Sequence, residues 1–306
     1  MNPSRGITLK IASTLAFTLM LALLKLLADT LPPGELVFGR SFFALVPIVA
    51  MLAWQRQIPG ALRTSRPFLH LRRGTIGIVS MTLSFASLAF LPLPEAMAFG
   101  YASPLMIVVL AAFVLGETVR AFRWTAVAIG FFGIAVILWP EFTVLRSGNV
   151  GGGTLLGAML ALAAAVASSW TAIFIRSMTQ TEATGTIVFY FSLNSAILAL
   201  ISLPFGWVMP GRGDAALLVL AGLLGGIGQI MMTASYRHAD AATIAPFEYV
   251  SMIWGLIAGY VLFSEVPHAS VIVGGSIVVG AGMIIIMRER QLGLQRARQR
   301  SLTPPG

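Results

Sequence analysis

The chain has 306 residues, 57% of them hydrophobic and only 10% charged, with 20 Lys and Arg against 11 Asp and Glu for a net charge of +9. Soluble domains carry roughly 25% charged residues, so lipid is the solvent for most of this chain, and the basic excess reads as orientation signals in short loops rather than a nucleic-acid footprint. There is no cysteine, which excludes disulfides and thiolate metal sites.

A spanning helix needs about 20 apolar residues, and ten stretches qualify. The first, 7–27, follows Arg5 and Lys10 as a signal peptide would, but Lys25 and Asp29 close it without a small-x-small cleavage site, so it reads as a membrane helix. It carries Thr14 and Thr18. The second, 35–54, holds Arg40, expected near the outer face and either snorkelling, pairing with Asp29, Glu35 or Glu95, or gating. The third, 72–91, carries Ser80, Ser84 and Phe85; the fourth, 95–115, carries Phe99 and Tyr101 and closes on Glu117; the fifth is 122–139. The sixth, 153–175, contains Ser168, Ser169 and Trp170 and ends against Arg176; the seventh, 185–204, contains Tyr190 and Asn194; the eighth, 214–235, contains Gln229 and Thr233. The ninth, 242–263, carries Glu248, Tyr249 and Trp254 and closes on Glu265. The tenth is 269–287, and the Arg-rich segment after it, 291–306, is expected as a basic tail on the membrane surface.

With ten spans both termini share one side. That side takes sixteen Lys and Arg, Lys10 and Arg73 among them, against four on the other (Lys25, Arg40, Arg146 and Arg212), so both termini are expected in the cytoplasm. Tyr101 and Tyr249, and Glu117 and Glu265, each repeat at an offset of 148, while Lys25 matches Arg176 at 151. These matches predict halves of five helices, 1–143 and 152–290. Five is odd, so the second half enters the membrane from the opposite side, giving two inverted-topology repeats around a central cavity.

Ten helices in two halves, the stretch Val37-Phe38-Gly39-Arg40-Ser41, the Gly/Ser-Glu pairs closing spans four and nine, and Ala245-Pro246-Phe247-Glu248-Tyr249 resemble the drug/metabolite transporter superfamily, and within it the EamA-domain family. The resemblance covers nearly the whole chain and extends to YddG-type exporters of amino acids and to S-adenosylmethionine uptake proteins. It implies an all-α bundle in the bacterial inner membrane whose cavity opens alternately to each side.

Within that frame the candidate cavity residues are Thr18, Ser80, Ser84, Phe85, Phe99, Tyr101, Trp170, Asn194, Gln229, Tyr249 and Trp254. Ser and Thr also bond to their own helix, and aromatics also pack, so the amides of Asn194 and Gln229 are the firmer members. Arg40, Arg176 and Glu248 are gating or coupling candidates, Glu248 through Arg176, Arg237 or a proton. Glu117 and Glu265 are expected to cap neighbouring helices. An interior without a buried charge cluster suits a zwitterionic amino acid and not a phosphate ester. Export of amino acids or related metabolites is the leading expectation, with S-adenosylmethionine or other metabolite uptake, or a passive facilitator, as alternatives. The partners are then a small-molecule solute and the bilayer, with no nucleic acid and no cofactor, and ten helices suffice as a monomer. Gly211-Arg212-Gly213-Asp214 matches an intramembrane protease signature, but no second mid-membrane Asp completes the dyad, so an enzyme is not expected.

Overall fold

The computed structural model of the protein describes residues 3–64, 66–113, 121–146, 152–178, 181–238 and 245–302. All secondary structure in them is helical. The helices are α1 (Pro3–Leu27), α2 (Pro33–Trp54), the short α3 (Ile58–Ala61), α4 (Pro67–Ser87), α5 (Leu93–Gly100), α6 (Ala102–Phe113) and α7 (Ala121–Arg146), then α8 (Gly152–Met178), α9 (Thr184–Ala199), α10 (Arg212–His238), α11 (Val250–Phe263) and α12 (Ala269–Leu302). Two 3-10 turns, Leu200–Phe205 and Ala245–Tyr249, extend α9 and precede α11. Counting α5 with α6 as one rod and setting the short α3 aside, the described residues form ten rods, and eight are long and apolar enough to cross a membrane. The other two are α4 and the stretch Phe247–Phe263.

Prolines set several boundaries. Pro33 and Pro67 lie in the first turns of α2 and α4, where a missing N–H costs nothing. Pro104 explains the break at Tyr101, because its ring clashes with the carbonyl four residues back. Pro67 starts α4 five residues before the expected span at 72, which carries Arg73 two turns into the helix. α1 begins at Pro3 and does the same for Lys10. The Arg-rich tail is no separate element, since α12 runs without a break from Ala269 to Leu302.

The packing partners are nearly unchanged when the first five rods are exchanged for the last five. α1 packs on α10 and α8 on α4; α2 packs on α10 and α9 on α4; α6 packs on α8 and α11 on α1. α2–α9, α5–α11 and α7–α12 pair with their own counterparts. Glycines allow the close crossings. A Cβ on Gly222 or Gly226 of α10 would run into Phe43 or Pro47 of α2, and Gly133 and Gly274 bring the backbones of α7 and α12 together. Large apolar side chains such as Phe113, Phe132, Trp139 and Ile253 are exposed on the outside, as a lipid solvent requires.

Candidate functional site

Polar side chains collect at three levels of the bundle. The near end holds the start of α1 and the finish of α12, and there Lys10 is buried and ion-paired with Glu248, which is half exposed. Sequence reasoning did not name Lys10 as this partner; the side chains of Arg176 and Arg237, the partners expected for Glu248, lie outside the described residues, as does Glu117. Just inside this pair the repeat-related tyrosines meet. The rings of Tyr101 and Tyr249 lie 5.5 Å apart, Tyr101 Oη and Ser251 Oγ share a hydrogen bond of 2.6 Å, and Ser251 donates to the Glu248 carbonyl at 2.6 Å.

At the far end Glu265, just past α11, accepts from the backbone N–H of Leu93 at 2.8 Å and so caps α5, as the sequence predicts. Its other oxygen pairs with Lys25 of α1 at 2.8 Å, and Lys25 also donates to the Leu91 carbonyl at 2.6 Å. α1 is thus clasped to the ninth rod by one ion pair toward each end.

The middle level departs from expectation. Arg40 on α2 is 5% exposed and Arg73 on α4 is 2% exposed, so Arg40 does not snorkel. No carboxylate among the described residues forms an ion pair with either. Glu35, a proposed partner of Arg40, instead accepts from the Val208 N–H at 3.1 Å. Both guanidiniums face the ring of Phe191 on α9, with their central carbons 4.1 Å (Arg73) and 5.9 Å (Arg40) from its centre. Arg40 Nε and Arg73 Nε and Nη1 are buried without an acceptor. The expectation of an interior free of a buried charge cluster is overturned. It failed because Arg73, at the start of the expected span 72–91, was counted among the charges of the cytoplasmic side, whereas α4 starts at Pro67 and carries it two turns into the helix. The spacing of Gly74 and Gly77 behind Arg73 was the available signal: a Cβ on either would strike Asn194 or Phe191, so this face of α4 meets α9.

The remaining candidates divide. The Thr18 hydroxyl donates to Thr14 O at 2.9 Å within its own helix. Ser80 ties α4 to Ala164 O of α8 at 2.9 Å, and Ser84 O accepts from the Ser87 hydroxyl. Asn194 donates to His70 O at 3.2 Å, and Gln229 is buried. Trp254 Nε1 is buried without an acceptor. Trp170 stacks on Phe174. Phe85 and Phe99 are core residues that each touch one of two far-end clefts of about 290 Å³. Lys10, Arg73, Phe191 and Ser251 were missed by sequence reasoning. Among the described residues no group of three or more His, Asp or Glu is placed to hold a metal.

Comparison with known proteins bears on what such an interior handles. The family model described as "EamA-like transporter family" matches residues 4–139 and 155–288. An S-adenosylmethionine uptake transporter of Rickettsia prowazekii (strain Madrid E) is 27% identical over 270 residues, 87% of each chain. The pseudopaline exporter CntI of Pseudomonas aeruginosa (strain UCBPP-PA14) is 29% identical over 281 residues, 90% of this chain and 94% of that one. A riboflavin transporter of Rhizobium johnstonii is 30% identical over 253 residues, 82% of this chain and 79% of that one. A solved crystal structure superposes over 92% of this chain and 97% of its own with a TM-score of 0.65 at 20% identity, a likeness of fold.

Proposed function

The chain belongs to the EamA-like transporter family, and from that premise we propose that it carries small carboxylate-bearing metabolites, amino acids among them, outward across the bacterial inner membrane by alternating access of two inverted repeats. The observation that carries this reading is the exchangeable packing of the two sets of five rods, joined by the contact of Tyr101 with its repeat mate Tyr249. Halves that pack alike from opposite sides have two equivalent arrangements, and rocking between them exposes the interior to either side in turn. The clasps of α1 on the ninth rod, Lys10–Glu248 and Lys25–Glu265, suit the two gates of such a cycle. Between them the arginines are buried, which favours a carrier with an occluded site over a channel. With the interior Arg73 and Arg40 left out of the sixteen and the four, the split of fifteen to three still favours cytoplasmic termini.

The relatives handle polar metabolites and are named for movement in both directions, so direction here rests on the charge of the interior. Two buried arginines disfavour the sulfonium of S-adenosylmethionine and favour a solute with negative charge.

The test is counterflow in proteoliposomes preloaded with unlabelled solute, across neutral, acidic and aromatic amino acids and the matching 2-oxo acids. Saturable uptake of label stimulated by internal solute is expected. Flat traces across the panel from correctly folded protein would refute the carrier reading. Single cysteines introduced as Gly60→Cys and Arg300→Cys should react with impermeant maleimide only from the cytoplasmic side.

A further inference from the structure

We infer that Arg40 and Arg73 together form the receptor for the anionic group of the transported solute, a carboxylate that no amine on the same solute needs to balance. The inference rests on the carrier reading above and deepens it by naming the chemistry of the site.

A buried charge is costly, by several kcal/mol for each ion even after relaxation. Such groups persist where a partner neutralises them or where function demands them. Here two of the same sign sit close together: both guanidinium carbons lie against one ring, so their separation is no more than the sum of their distances from its centre. Two like charges held against one ring repel each other. The contacts they do make are weak substitutes for an anion. A face of Phe191 offers each a cation–π interaction, and Arg40 Nη1 reaches only Met81 Sδ at 4.0 Å. Three N–H groups remain buried and unmet. Guanidiniums offer planar, paired donors that match a carboxylate.

Room for Arg40 has been kept on a third helix. A Cβ on Gly225 of α10 would lie 3.1 Å from Arg40 Nε and 2.8 Å from Met20 Sδ. The pair thus draws on α2 and α4 from the first half, with α9 and α10 from the second closing on it, which is the interface that alternating access opens. Phe191, Met20 and Met81 lie against the pair. His70, one turn before Arg73 on α4, is buried 3.9 Å from Glu182, which also accepts from the Thr64 hydroxyl. No carboxylate among the described residues forms an ion pair with either arginine, so the geometry favours a net anion with an apolar or aromatic body over a zwitterion.

The test compares phenylpyruvate, L-phenylalanine, L-phenylalaninamide and phenyl phosphate as ligands of the full chain in detergent. Binding is read as a saturable rise in the thermal midpoint, with counterflow measured in parallel. Wild type should bind phenylpyruvate more tightly than phenylalanine and should not bind the amide. Arg40→Gln and Arg73→Gln should each weaken phenylpyruvate at least tenfold, with Arg73→Lys intermediate. Neutralising an unpartnered buried charge should also raise the midpoint of the empty protein, so Arg73→Met is expected to be more heat-stable than wild type by a few degrees. An arginine with a purely structural role would lower it. The inference is overturned if phenylpyruvate fails to bind wild type, if the amide binds as well as the acids, if phenyl phosphate binds tighter than phenylpyruvate, or if the glutamine variants bind unchanged. Binding with these signatures but no counterflow would refute the carrier reading alone. Counterflow indifferent to both arginines would refute the receptor alone.

Discussion

At Gly282 a single hydrogen atom decides how two halves of the molecule meet. A Cβ there would overlap the Tyr249 hydroxyl, and Tyr249 is the ring that leans on Tyr101. Gly282→Ala should therefore push Tyr249 away and loosen the Tyr101–Ser251 bond. The expected loss is about 1–3 kcal/mol, typical of overpacking a tight core, read as a lower thermal midpoint. Tyr249→Phe in the same background should recover part of it, because the closest overlap goes with the hydroxyl while ring carbon Cζ, 2.6 Å from the added Cβ, must still give way. Failure of that partial rescue would mean that the ring, not the hydroxyl, sets the clash. Arg40 and Arg73 pose the opposite problem: their positions are sterically easy and electrostatically expensive.

Among the elements, α5 depends on a residue from the other half. Its first N–H is met by Glu265, so Glu265→Gln keeps the shape but removes charge from both the helix N-terminus and Lys25. A cost of about 1–2 kcal/mol follows for a part-buried charged hydrogen bond, and Lys25→Met should cost a similar amount without adding to it fully, since the two share one contact. Helix by helix, most of this architecture was legible in the sequence. Ten apolar runs, Pro punctuation and the 148-residue offset locate the rods and pair Tyr101 with Tyr249. Glu265 as a cap was legible too, from its place beyond the end of α11. The site was not. Hydropathy finds where a chain is greasy, not where a helix begins, so Lys10 and Arg73, inside the first turns of the expected spans 7–27 and 72–91, were counted as charges of the cytoplasmic side rather than of the interior. Whether Arg40 turns toward lipid, a headgroup or the interior depends on which face of α2 meets α9 and α10, and that is a tertiary fact. Thr18 shows the converse: its hydroxyl lies inside the bundle and is satisfied by its own helix.

Over the whole molecule the two clasps on α1 lie 15 residues apart, about 22 Å along a helix axis at 1.5 Å per residue. Weakening one should therefore bias the bundle toward opening at that end. In a chain free of cysteine, a reporter introduced as Ser251→Cys should become more reactive from the near side in a Glu248→Gln background. It should change little in a Glu265→Gln background, where the far side opens instead. Equal reactivity in both backgrounds would show that the clasps do not act as gates. The arginine pair has a further consequence, in the electrical behaviour of the protein. Moving one elementary charge through the whole bilayer field is worth about 2.3 kcal/mol per 100 mV. In the proposed orientation, with cytoplasmic termini, the potential pulls an empty, positively charged site inward and acts less on one neutralised by a bound anion. Voltage then favours the return stroke, and the net movement of an anion outward is downhill in the same field. Imposing a negative internal potential with valinomycin and potassium should accelerate phenylpyruvate efflux, and dissipating it should slow efflux. In a carrier built this way the membrane potential itself supplies a driving force for export.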